Sequence, residues 1–258
     1  MKKSIKRILF LFTTMLLTVV LAACSSGGGG TKTISSQEAV DKYVEAAKNI
    51  KSAKFTSDIN VKMTNNNTTR EVIMKMNGSV ATEPLSLLVD SESKIATQSQ
   101  KMSIYLKDNV LYAKQGSQTN WSKLPISGTF QKQIESLKNV GNTEDALNYY
   151  KNNANDFKVE AQGDNYVLSY SGNDEKFKEL LKTSVKTTGQ NISNLDSVDI
   201  KNASFKITVK KSDFQPVTSE LSVEISQKDK PENNYKMDIK YTFSDINSTT
   251  VPTPEGIK

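Results

Sequence analysis

The chain has no histidine, one cysteine (Cys24), one tryptophan (Trp121) and six prolines in 258 residues. Without histidine there is no imidazole base, no Ser-His-Asp triad and no His-bound metal–water, and no ordinary side chain that changes charge near neutrality. A single cysteine cannot form an internal disulfide, so stability rests on burial. Long apolar runs are also scarce. The one present, residues 8–21, is broken by Thr13, Thr14 and Thr18. As a helix it rises about 21 Å, short of the roughly 20 residues that cross a bilayer.

Lys2, Lys3, Lys6 and Arg7 precede that run, and the small residues Ala22 and Ala23 follow it. Basic start, apolar core and small-residue end form a secretory signal. A plain signal peptide has no need of a cysteine directly after its cleavage site. Leu21-Ala22-Ala23-Cys24 resembles the lipobox of bacterial lipoproteins. The resemblance implies that the Cys24 sulfur receives a diacylglyceryl group, that the signal is cut between Ala23 and Cys24, and that Cys24 becomes an acylated, palmitate-type N-terminus. In the alternative reading, a plain signal, Cys24 is incidental. Two acyl chains bury methylenes at about 0.8 kcal/mol each, enough for a stable membrane anchor. Residues 24–34 then form a lipidated, Ser/Gly-rich linker; a spacer of that kind reaches about 15 Å. The expected location is the extracytoplasmic face of the bacterial cell membrane.

Cleavage at that point removes four basic residues and no acid, taking the net charge from +6 to +2. No basic patch interleaved with aromatics survives, which argues against nucleic acid as a partner. The 235 residues left are enough for one large β-rich domain.

Ser35 and Glu38 read as a capping box for a helix carrying Ala39, Val40, Tyr43 and Val44 on one stripe, ending near Lys51. From Ala53 the apolar period switches to two, the mark of strands with one buried face. Phe55, Ile59, Val61 and Met63 form one such face, and Val72, Met74, Met76 and Val80 the next. Leu85, Leu87 and Val89 follow, then a weak polar strand over residues 95–100 and a hairpin over residues 103–114 turning at Asp108-Asn109. Trp121 to Leu124 extend it. Phe130, Ile134 and Leu137, then Ala146, Leu147 and Tyr150, have helical spacing. Phe157, Val159 and Ala161 face Tyr166, Leu168 and Tyr170 across a turn at Gly163. A third helix is expected around Phe177 and Leu180, then a polar loop over residues 187–194. The last third alternates cleanly: Phe205, Ile207 and Val209; Val217, Leu221, Val223 and Ile225; Tyr235, Met237, Ile239, Tyr241 and Phe243.

These elements predict an α+β fold: a large curved antiparallel sheet, a half-barrel of roughly 9–11 strands, with helices covering its concave face. The lipobox, the first helix, the meander and the segments Ser103-Ile104-Tyr105-Leu106-Lys107-Asp108-Asn109-Val110-Leu111-Tyr112 and Asn120-Trp121-Ser122-Lys123-Leu124 resemble an uncharacterised family of Gram-positive lipoproteins. That family is similar to the LolA/LppX-like lipoprotein-carrier superfamily. The resemblance implies one domain over residues 35–250, a short tail over 251–258, and in some members an apolar cavity that accepts lipid.

Catalytic readings are weak. Glu144-Asp145 and Asp174-Glu175 fall at expected helix starts, where the helix dipole accounts for them better than a glycosidase pair does. The expectation is a non-enzymatic monomer with no cofactor and no metal. Its partners are the membrane, through Cys24, and a lipid or other amphiphile. The candidate cavity lining is Ile59, Met63, Met74, Met76, Met102, Ile104, Tyr112, Met237 and Tyr241; flexible thioethers suit variable acyl chains. The alternative is a surface interaction module with a solid core.

Overall fold

A computed structural model describes residues 34–66, 68–126, 148, 151–171, 176–178 and 197–257. Cys24, Ala23 and most of the linker lie outside them, as do Phe130, Ile134, Leu137, Ala146, Leu147 and Tyr150 of the expected helical insert, Leu180 of the expected third helix and the loop over 187–194. Phe177 is within them and is buried at 1% exposure.

Helix α1, Ser36–Lys48, starts where the capping signal places it. The Ser35 hydroxyl accepts from the Glu38 amide at 3.2 Å, while the Glu38 carboxylate turns to Lys42, one turn on, at 2.7 Å. Ala39, Val40, Tyr43 and Val44 fill its buried stripe.

Eleven strands follow: β1 Ser52–Asn65, β2 Thr68–Thr82, β3 Leu85–Ile95, β4 Gln98–Lys107, β5 Val110–Gln115, β6 Ser122–Leu124, β7 Lys158–Gln162, β8 Asn165–Ser171, β9 Val198–Lys210, β10 Pro216–Gln227 and β11 Asn234–Ser244. All belong to one sheet, ordered β6-β5-β4-β3-β2-β1-β11-β10-β9-β8-β7. It consists of two antiparallel meanders joined where β1 pairs with β11 over Lys54↔Ser244 to Thr64↔Asn234. The sheet is open. Its edges, β6 and β7, are consecutive in sequence.

Two local expectations need correction. No separate strand forms over residues 95–100: Ile95 ends β3, Ala96 turns the chain at φ 54°, and Gln98 already belongs to β4. The polar character of that stretch reflects residues 96–101 being exposed on both faces, not a weak strand. On β10, Pro216 is buried and Val217 is not, because a register shift between Pro216 and Thr218 inserts Val217 as a bulge. Phe214, in the β9–β10 turn at φ 58°, folds under α1 into the core. Its ring stacks on Tyr166 at 5.7 Å and lies under the Lys42 ammonium at 5.3 Å.

The main core joins the buried stripe of α1 to one face of the sheet, with Ile59, Met74, Phe205, Leu221 and Ile239 among its members. A second, smaller cluster, Leu106 and Leu111 with Leu85, Leu87, Ile104, Leu124 and Ile126 packed against them, continues that face toward β6.

Candidate functional site

Directly opposed residues on antiparallel strands share a face, so register decides which side chains can meet a common ligand. One row across the sheet reads Tyr170, Phe205, Leu221, Ile239, Ile59 and Met74. The row beside it reads Ile207, Ser219, Tyr241, Ser57, Met76, Ser91 and Met102. A third runs Ala203, Val223, Met237, Val61 and Val72. These rows form a continuous apolar face. Ile59, Met63, Met74, Met76, Met102, Met237 and Tyr241 all lie on it, and Ile104 joins it through its pairing with Val89.

Tyr112 does not. It pairs with Tyr105, whereas Ile104 pairs with Ala113. Tyr112 therefore faces the opposite side, where its ring packs 6.2 Å from that of Tyr105. Tyr105 in turn meets Trp121 at 6.5 Å and the Thr253 hydroxyl at 3.1 Å. The C-terminal tail is thus strapped over the outer face at this end of the sheet.

The remaining candidates are covered to different degrees. Ile59 is 2% exposed, Met74, Met76 and Met237 are each 4%, and Tyr241 is 5%. Met63 packs against the core half-buried, and Met102 and Ile104 are half-buried toward β4. Four hydroxyls, those of Ser219, Tyr241, Ser57 and Ser91, interrupt the apolar surface along its second row. Burial pushes the Tyr241 phenol above its ordinary range, and the neighbouring Ser57 hydroxyl acts the other way. Ser57 Oγ nonetheless makes no well-formed hydrogen bond, an arrangement that costs free energy in a buried site.

The outer face has a feature the local sequence did not single out. Lys101, Glu92, Lys75, Asp58, Lys240, Glu220 and Lys206 oppose one another in turn across seven adjacent strands, β4 to β9 through the β1–β11 seam. Their signs alternate without interruption. Close pairs run from Lys240–Glu220 at 2.8 Å, through Lys101–Glu92 and Lys75–Asp58 at 3.6 Å, to Lys206–Glu220 at 3.8 Å. A hydrogen bond from Ser99, with the field of Lys101, holds the Glu92 carboxyl below its ordinary range. The bond to Glu220 holds Lys240 above its own.

Beside this ladder a trough of about 660 Å³ crosses the outer face from Ile73 on β2 to Ser169 on β8. Its walls are the charged row and the next outward row, Asn60, Asp238, Ser222 and Ser204; its floor is the backbone at Ile59, Ile239, Leu221 and Phe205. Among the described residues, no group of three or more Cys, Asp or Glu could hold a metal ion. No helix among them is long and apolar enough to cross a membrane.

Residues 35–258 match DUF6612, a family of unknown function. The chain belongs to this family. The match begins at Ser35, the residue that caps α1. No curated protein sequence matches the chain. Among solved structures, it is similar to LprF from Mycobacterium bovis at 11% identity and a TM-score of 0.46, over 85% of this chain and 96% of that one. It is also similar to a LolA superfamily protein from Nitrosomonas europaea at 13% identity and a TM-score of 0.21, over 85% and 96% of the two chains.

Proposed function

We propose that this DUF6612 member is a lipid-anchored extracytoplasmic lipoprotein that binds a lipid or other amphiphile against the apolar face of its sheet, without catalysing a reaction. The anchor is Cys24, after cleavage from Ala23. The observation that carries the ligand reading is the breadth of the apolar face. It extends over the central strands, interrupted only by hydroxyls, and places Met74, Met76 and Met237 on adjacent strands around Ile59. Unbranched thioethers can repack around acyl chains of different length. Working as a monomer without a cofactor, the protein would hold its ligand near the membrane to which it is tethered.

A second reading has its own support. The same methionines and Tyr241 are at most 5% exposed, as expected of a solid core that displays a rigid sheet to a protein partner. Native mass spectrometry of the chain with Cys24→Ala, extracted in mild detergent, separates the two. Co-purifying amphiphile of stoichiometric amount supports the carrier. Its consistent absence, with no uptake of offered fatty acid or phospholipid, removes that reading and leaves the solid core.

A further inference from the structure

The trough lies on the face opposite the apolar one, so it serves neither the anchor nor an amphiphile held there. Its dimensions follow from sheet geometry. It crosses six strands, five spacings of about 4.8 Å, and is therefore about 24 Å long. Its walls are residues i−1 and i+1 of each strand, about 7 Å apart. That is the shape of a bed for one extended chain lying across the strands.

The chemistry of the walls narrows the occupant. The charged wall presents Asp58, Lys240, Glu220 and Lys206, acceptor and donor by turns, at each strand spacing. The facing wall is neutral except for Asp238, which accepts from the Ser222 hydroxyl at 2.6 Å. A polyanion would meet Asp58, Glu220 and Asp238, and a polycation Lys240 and Lys206, so neither lies along the trough without repulsion at every second step. An occupant that satisfies both kinds of group must donate and accept along both of its edges and carry no charge. Vicinal hydroxyls do this, because each is one donor and two acceptors. A neutral ligand also leaves the ladder's ion pairs intact. An extended peptide presents its side chains on alternate faces, and of the trough's outward-facing side chains Ile73, 36% exposed, alone is an apolar residue. We propose that the trough binds a neutral oligosaccharide.

The test uses the full chain in detergent micelles, with methyl and amide resonances followed during titration with chitin oligomers from disaccharide to hexasaccharide. Expected are shifts of the Ile73 methyl and of the Ser222 and Asp238 amides, with affinity rising at least fivefold with oligomer length, and no movement of the Met74 methyl on the opposite face. Ser222→Trp, which fills the trough, should abolish the shifts; Asp238→Asn, which preserves volume, should weaken binding at least threefold. Silence at Ile73 for every oligomer overturns the proposal, as does binding that survives both substitutions. A response to a neutral Ser/Gly peptide and to no oligosaccharide also overturns it, reassigning the trough to peptide.

Discussion

The Asn247 side-chain oxygen accepts from the Lys51 amide at 2.6 Å, across 196 residues of sequence. Its amide nitrogen donates to the Asn49 carbonyl at 2.9 Å, and its backbone N–H to the Ser52 carbonyl at 2.8 Å. A single residue, three positions beyond β11, thus clamps the link between α1 and β1. Asn247 sits at φ 60°, a conformation that asparagine tolerates better than most residues. Asn247→Ala should therefore lose both the side-chain bonds and the backbone fit, about 2–3 kcal/mol in chemical denaturation. Asn247→Gly keeps the fit and should lose about half as much. Equal losses in the two variants would rule out the backbone part of this account.

Gly78, in the second half of β2, opposes Phe55 on β1 and Val89 on β3. A Cβ there would come within 2.6 Å of the Leu88 carbonyl oxygen and 2.9 Å of the Phe55 ring. The ring can shift, but the carbonyl belongs to the ladder. Gly78→Ala should cost about 1–3 kcal/mol, as overpacking does. Pairing it with Phe55→Leu should recover only the part due to the ring, which a double-mutant cycle measures. Full recovery would show the carbonyl contact to be harmless.

Tyr241 and Tyr235, both pushed up by burial, contribute to the alkaline limit. The Tyr241 pKa in the folded protein lies above the ordinary value of 10.0 because burial disfavours the phenolate. The folded state therefore holds its proton where the unfolded state releases it. The associated stability is complete below pH 10 and falls as pH rises above it, by about 1.4 kcal/mol per pH unit for one such group. Denaturation midpoints between pH 9 and 11.5 should decline less steeply in Tyr241→Phe than in the parent chain. Parallel declines would assign the alkaline loss to other groups.

Glu220 lies between Lys206 and Lys240 in the charge ladder. Glu220→Lys turns two cross-strand attractions into two repulsions and should destabilise by about 1–2 kcal/mol at low salt. The loss should shrink as salt is raised. Glu220→Gln should cost less than half as much, because exposed pairs contribute little individually. A salt-independent loss would point to packing rather than charge.

The anchor has a direct test. Cys24→Ala should shift the protein from the membrane pellet to an uncleaved or mis-sorted precursor, while limited proteolysis of residues 35–258 stays unchanged. Persistent membrane association of a chain lacking residues 1–23 as well would contradict the tether.

Much of this fold was legible from the period of apolar residues. Ile59, Met74 and Met237 alternate so regularly that their faces could be assigned before pairing was known, and Ser35 marks the start of α1 directly. Tyr112 was misassigned although the signal was present. A two-residue turn at Asp108-Asn109, both at positive φ, sets Lys107 against Val110 and hence Ile104 against Ala113. Val217 and Phe214 depended on a bulge and a turn that no periodicity encodes. The ladder was not readable, because each Lys or Glu in it looks locally like the solvated side of a strand. Only the pairing of β1 with β11, set by tertiary contact, lines them up.

That central seam also governs how the chain can assemble. Until β11 exists, β1 is a fourteen-residue strand with one edge unpaired, and its partner residues lie 170 to 190 positions further along the chain. Closing so long a loop is slow. A chain threading out amino end first thus cannot complete its sheet midway; it stays pliable until the last strand arrives, then locks from the middle outward. In that interval the bare edge of β1 is the place where two unfinished copies would join.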